Sequence, residues 1–255
     1  MAVDANPSGI RDFFDEVSHS DVSLVTINRT RPKPVQELLA DAFGTQSVDL
    51  VERSLPDDVD DDIVALRRDG EVRAVSSLQE LMQSFLLVNA DQFKTGTKGF
   101  DDEVPDVLKG MDETLFDLRG YPASNKEKLL LILISRHIER LAYESGTGTL
   151  RSTFQHLSRL EDELGTKKVY ERLAGRTVDV HVYGVPDGMP EQLDATAHGG
   201  TSDEYRNSWC VVFRPPEGAG AALIAHQQEA NRWEGFWTYD RDTVERADRY
   251  LADSF

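Results

Sequence analysis

Six histidines (His19, His137, His156, His181, His198, His226) and one cysteine are the side chains best suited to nucleophilic or metal chemistry in this sequence. No two histidines have the i, i+4 spacing that sets a ligand pair on one helix face, so no metal site is expected. Cys210 sits in the apolar run from Trp209 to Phe213 and reads as a small buried hydrophobe. Ser152 and Ser208 lack the Gly-x-Ser-x-Gly setting of a nucleophile elbow. The loops "KTGTKGF" (94–100) and "SGTGTLRS" (145–152) contain glycine but not the Gly-Lys-Ser/Thr ending of a phosphate loop. No pair of carboxylates stands out from the acidic background. The expectation is a protein that is not an enzyme.

Aromatic residues carry more information. Tyr183, Trp209, Trp233, Trp237 and Tyr239 fall in or beside the C-terminal strands, with Phe154 in the strand before them. Most strand aromatics are core. The functional reading is a ligand pocket with Phe154, Tyr183, Trp209, Trp237 and Tyr239 as walls and Arg151, Gln155 and Arg159 as polar contacts. Nothing in these residues names a cofactor. His137 lies in "ISRHIERLA", which loosely resembles the phosphoacceptor helix of a histidine kinase. The residues usual after that histidine are missing, and the expectation is a histidine on the exposed side of a long helix.

The elements that must position these residues come from hydrophobic period and turn chemistry. The first half reads as a strand (24–27), a helix from Pro34 to Gly44, and strands at 48–51, 63–66 and 72–75. "RDGE" (68–71) predicts a hairpin turn between the last two. Ser77 with Glu80 predicts a capped helix that buries Leu78, Leu81, Met82, Phe85 and Leu86. A loose stretch (89–112), a strand (115–118) and a helix capped by Ser124 and Glu127 complete that half. The second half reads as a strand (150–155), a helix (166–174), strands at 178–182, 193–197 and 209–213, and a short helix from Ala221 to His226. A strand ending at Tyr239 and a helix capped by Asp242 and Glu245 close the chain. The fold class is α/β (mixed α+β), as two similar β-α-β-β-β-α-β-α units, 1–146 and 149–255, that suggest an internal duplication.

Composition sets the outer limits. The chain has 255 residues and 46 acidic against 28 basic side chains, for a net charge of −18. Such a surface repels phosphate backbones, so direct nucleic-acid binding is not expected. Dispersed acid, with Asp above Glu and Arg above Lys, resembles the proteome of a salt-loving archaeon, where molar salt screens the self-repulsion within a few ångströms; the alternative is an ordinary acidic cytosolic protein. "MAVDANPSGIRDFF" has no basic segment followed by an apolar one, and the longest apolar run, 129–134, is far short of the roughly 20 residues of a membrane span. A cytoplasmic protein with no membrane association is expected.

Four stretches in order, "TFQHLSRLEDELGTKKVYERLAG", "VDVHVYGVPD", "SWCVVFRPPEGAGAALIAHQQ" and "GFWTYDRDTVERADRYL", resemble the DICT sensory domain family. The most specific pieces are Phe154-Gln155, the Tyr170/Leu173/Ala174 helix, Tyr183-Gly184, Trp209 and Thr238-Tyr239-Asp240, covering about 149–251. The whole chain also resembles stand-alone haloarchaeal members, which include "RGYPASNKEKLLLILISRHIERLA" (119–142). The resemblance implies a sensory or signal-input module in light or other environmental responses. It implies no established ligand; the expected partner is a signalling protein acted on in trans, a two-component or transcriptional regulator, and the pocket above is where a small-molecule ligand would sit. It implies no catalytic residues. The alternatives are a partner-binding scaffold without ligand and a phosphotransfer protein acting through His137.

Overall fold

The computed structural model describes residues 7–17, 20–30, 43, 48–56, 60–90, 103–119, 127–162, 164–188, 193–230 and 232–255. The first part runs α1 (Asp12–Asp15), β1 (Val22–Ile27), β2 (Asp49–Arg53), β3 (Ile63–Arg68), β4 (Glu71–Ser77), α2 (Leu78–Ala90), α3 (Asp106–Lys109), β5 (Phe116–Arg119) and α4 (Glu127–Ser145). Next come β6 (Thr147–His156), α5 (Arg159–Asp162), α6 (Leu164–Ala174), β7 (Thr177–Val185), β8 (Thr196–Gly199) and α7 (Asp203–Asn207). The chain closes with β9 (Ser208–Arg214), β10 (Ala221–Glu229), β11 (Arg232–Thr238) and α8 (Arg241–Ser254).

Local signals hold where the chemistry is local. Asp69 and Gly70 both take positive φ (52° and 86°), so the Asp-Gly pair makes the mirror-image turn whose twist suits a hairpin. Glu80 N–H donates to Ser77 Oγ at 3.1 Å and Ser77 N–H donates to Glu80 Oε2 at 3.0 Å, a complete capping box. The long helix ends at Gly146, whose φ of 69° a residue with a Cβ rarely adopts. The helix expected at 34–44 lies outside the described residues apart from Phe43, which is helical and buried. The Ser124 cap also lies outside them, as do the side chains, though not the helical backbone, of Phe85 and Leu86.

Two expectations are corrected. Ala221–His226 is no helix but the start of β10, a central strand hydrogen-bonded to both β9 and β11. Its alanines suit a helix by propensity, yet pairing on both edges outweighs that preference. Here Ala225 faces Gly235 across one edge, which leaves room for close approach of the strands. The closing helix is capped not by Asp242 but by Asp240, whose Oδ1 accepts the Thr243 N–H at 2.9 Å.

Two sheets result, in the mixed α/β class. One has the order β2-β1-β3-β4, the other β5-β11-β10-β9-β6-β7-β8. Four strands agree in order and sense between them: β2-β1-β3-β4 and β7-β6-β9-β10 each begin with a parallel pair and continue antiparallel. β5, from the first half of the chain, pairs with β11 in the larger sheet.

Both faces of the seven-stranded sheet are covered, which is why its strands are nearly continuously apolar. On one face α4 packs across β6, β9 and β10, and the core there takes Val211, Phe213, Leu223, Trp233 and Trp237. The same core continues into Leu24, Leu66, Leu78 and Leu81 of the smaller sheet and α2. On the other face α8 and α1 cover Tyr183, Val212, Ile224 and Phe236.

Candidate functional site

A cavity of about 320 Å³ opens between α4, β6 and β9, with α5 and α6 at its margin. From α4 come Ile132, Ser135, Arg136 and Glu139, at the i, i+3, i+4, i+7 spacing of one helix face. Trp209 and Val211, alternate residues of β9, supply the apolar side. β6 contributes Thr153, Phe154 and Gln155, three consecutive residues, which a regular strand could not aim at one space. A bulge resolves this: the β6–β7 register shifts between Thr153 and His156, and Gln155 has φ of 44°.

The bulge turns Gln155 inward, where it is 4% exposed. Its Nε2 donates to the Ser208 carbonyl, and its Oε1 accepts from Arg159 Nη1. Among the described residues Arg159 has no carboxylate partner, so its charge meets only a neutral amide. Arg136 is more constrained. Its Nη1 lies 2.5 Å from Glu139 Oε2, and its Nη2 donates to Thr166 Oγ1 at 2.7 Å. Glu139 is 2% exposed, a buried carboxylate tolerated because it is paired. Behind it, burial and then Glu139 push the Tyr170 phenol well up, and its hydroxyl donates to Ser152 Oγ at 2.6 Å. The Trp209 indole N–H donates to Ser135 Oγ at 3.0 Å and so joins β9 to α4 beside the cavity.

Of the eight residues expected around one pocket, Phe154, Gln155, Arg159 and Trp209 line this cavity. Arg151 and Tyr183 lie together on the opposite sheet face. Arg151 donates to the Tyr183 hydroxyl at 2.7 Å and to Asp248 Oδ1 at 2.6 Å, while Arg214 holds Asp248 Oδ2 at 2.7 Å. Trp237 is stacked on Phe116 at 5.1 Å and donates to the Lys109 carbonyl at 3.1 Å, a core position. Tyr239 meets the edge of His137, and burial raises its phenol. Ser135, Arg136, Glu139 and Thr166 escaped the sequence reading. The first three follow the apolar run 129–134 as Ser-Arg and Glu, with Ser135 and Glu139 four residues apart on one helix face.

His137 is not on the exposed side of α4. It is half-buried beside Tyr239, and desolvation, reinforced by Lys109 and Arg140, lowers its pKa to about 4. Cys210 is buried, and burial raises its thiol to about 12, so it is an unreactive core residue. Among the described residues no group of three or more His, Cys, Asp or Glu is arranged to hold a metal ion.

The model of the DICT family, described as the sensory domain in diguanylate cyclases and two-component systems, matches residues 106–228. Over that segment, 123 of 255 residues, the chain is similar to the DICT family. The matched segment begins earlier than the expected 149 and encloses every residue that lines the cavity. It stops before β11, leaving Trp237 and Tyr239 outside. None of the curated proteins and none of the solved structures compared with the chain matches it. The DICT domain is a sensory domain found in signalling proteins, and the match supports a role in signal input. Among the described residues no helix is long and apolar enough to cross a membrane.

Proposed function

We propose that this protein is a cytoplasmic, non-catalytic sensor of a haloarchaeal cell, in which the α4–β6–β9 cavity of the DICT domain binds a small molecule. Occupancy is passed in trans to a signalling partner, a two-component or transcriptional regulator, in a light or other environmental response. The observation that carries the reading is the cavity itself: aromatic faces from Phe154 and Trp209, with Gln155 and Arg159 converging on the same space, all inside the matched segment. Signalling needs a ligand to favour one conformation over another. The Trp209–Ser135 hydrogen bond offers such a point, because a ligand that takes either partner loosens the tie between β9 and α4. The same strand order in four strands of each sheet supports an internal duplication, with units at 1–146 and 149–255.

The test is to purify the protein from its native host without denaturation and identify bound small molecules by mass spectrometry and absorbance. Wild type should retain a compound that Arg159→Ala loses while keeping its circular dichroism. Ligand-free protein, with no change in melting temperature across a broad metabolite screen, would favour the scaffold without ligand.

A further inference from the structure

Among the described residues β8 is the outermost strand of the seven-stranded sheet and joins it through β7 alone. Its His198 ring lies nearly flat on Tyr183, with centroids 4.4 Å apart and 13° between planes. It also stacks loosely on His181, 5.2 Å away. The two imidazoles do more than stack: His181 Nδ1 and His198 Nε2 are 2.9 Å apart. The other nitrogen of His181, Nε2, is 3.0 Å from Asp179 Oδ2.

These contacts fix the proton positions. An ionised carboxylate only accepts, so His181 Nε2 carries the hydrogen. In the neutral ring, His181 Nδ1 is then a bare lone pair, directed at the nitrogen of His198. A tautomer shift in His198 leaves two imidazole lone pairs facing each other across 2.9 Å, with a carboxylate bracing one ring from behind. That is how a histidine ligand is held in a metal site: the far N–H is tied to a carboxylate that sets its tautomer and orientation.

We propose that His181 and His198 bind one divalent transition-metal ion, of the zinc, nickel or copper kind, across the β7–β8 edge. Nitrogen ligands about 2.0–2.1 Å from a tetrahedral zinc are separated by about 3.3 Å and meet it at an angle, so the rings must part by about 0.4 Å and turn by roughly 35° each. A four-residue edge strand held on one side allows that shift. Two protein ligands leave the remaining positions to water, so the site is open. Imidazole nitrogen selects zinc, nickel and copper over magnesium and calcium, which prefer oxygen. Arg151, whose charge is felt at His198, is paired with Asp248, a carboxylate it shares with Arg214, and the chain's net charge of −18 attracts cations to its surface. Bound metal joins β8 to β7 on the face opposite the α4–β6–β9 cavity, a second input that does not depend on the first.

Untagged protein, stripped with a chelator, is titrated with zinc chloride by calorimetry and with copper(II) by electron paramagnetic resonance. Wild type should bind one ion with a micromolar dissociation constant and show nitrogen hyperfine structure from two imidazoles. His181→Asn and His198→Asn should each weaken binding by tenfold or more, and Asp179→Asn by about tenfold as an outer-shell partner. His156→Asn, which removes an exposed histidine paired with Asp187, should bind as wild type does. The copper spectrum of wild type keeps the test valid should a variant misfold. No saturable binding below millimolar zinc, equal binding by wild type and both histidine variants, or loss in His156→Asn would each overturn the proposal.

Discussion

Replacing His137 with phenylalanine should make the protein less sensitive to acid, and the size of the effect follows from where the ring sits. An imidazole in the unfolded chain titrates near 6.5, whereas His137 in the folded protein is lowered to about 4, mainly by burial. Between those values the unfolded state binds more protons, so stability rises with pH across the window and is lost as pH falls through it. Above 6.5 both states are neutral and the histidine has no such effect. Each pKa unit corresponds to about 1.4 kcal/mol, so the full effect approaches about 3 kcal/mol below pH 4. At pH 5 the linkage relation gives about 2 kcal/mol. His137→Phe keeps an aromatic edge against Tyr239 and removes the proton. Urea unfolding, followed by tryptophan fluorescence at constant ionic strength, gives both stability curves between pH 7.5 and 5. The variant should gain on wild type by about 2 kcal/mol across that interval. Parallel curves would refute the reasoning, because the ring would then titrate alike in both states.

Two further outcomes test other parts of the framework. Asp248→Asn removes the carboxylate shared by Arg151 and Arg214, leaves a mostly buried guanidinium without its counter-charge, and should cost about 3 kcal/mol in urea unfolding. Arg214→Ala, at the exposed arm of the same fork, should cost less than about 1 kcal/mol; equal losses would show that the charge of Arg151 is not what matters. Gly235→Ala places a Cβ 2.5 Å from the Ala225 Cβ and 2.9 Å from the Ile224 carbonyl, and should lower the melting temperature through overpacking of about 1–3 kcal/mol. Adding Ala225→Gly should restore part of the loss, and no recovery would place the strain in the backbone contact alone.

Features decided by a few neighbouring residues were legible in the sequence. The Asp69-Gly70 turn and the Ser77–Glu80 box formed as read, because each is closed by groups within four residues. β10 was not legible, since Ala221–His226 has helical propensity and only β9 and β11, brought in from either side, make it a strand. The cavity was half legible for the same reason. Phe154, Gln155 and Trp209 stood out by type, but the bulge that aims Gln155 inward is a register property, and Arg151 falls on the other face through ordinary strand alternation. Ser135, Arg136 and Glu139 were visible as polar residues just after an apolar run of α4, yet only packing against β9 shows what they face. His181 and His198 come from different strands, so no spacing along the chain announces their contact.

The place of β11 has a consequence for anyone who would cut this protein apart. The segment that defines the DICT domain by sequence ends at residue 228, yet β5 and β10, both inside it, are held apart by a strand that is not. A fragment trimmed to 106–228 keeps β5 but takes away β11, the one strand it pairs with among the described residues. It also bares the outer edge of β10, a row of unpaired amides and carbonyls open to another chain. With β11 go Trp233 and Trp237, and with the following helix goes the cover of the opposite sheet face. The borders of the shared sequence and the borders of a stable fragment therefore differ here. The shortest piece worth expressing extends at least through Leu251, where the last buried side chain of α8 closes over the sheet.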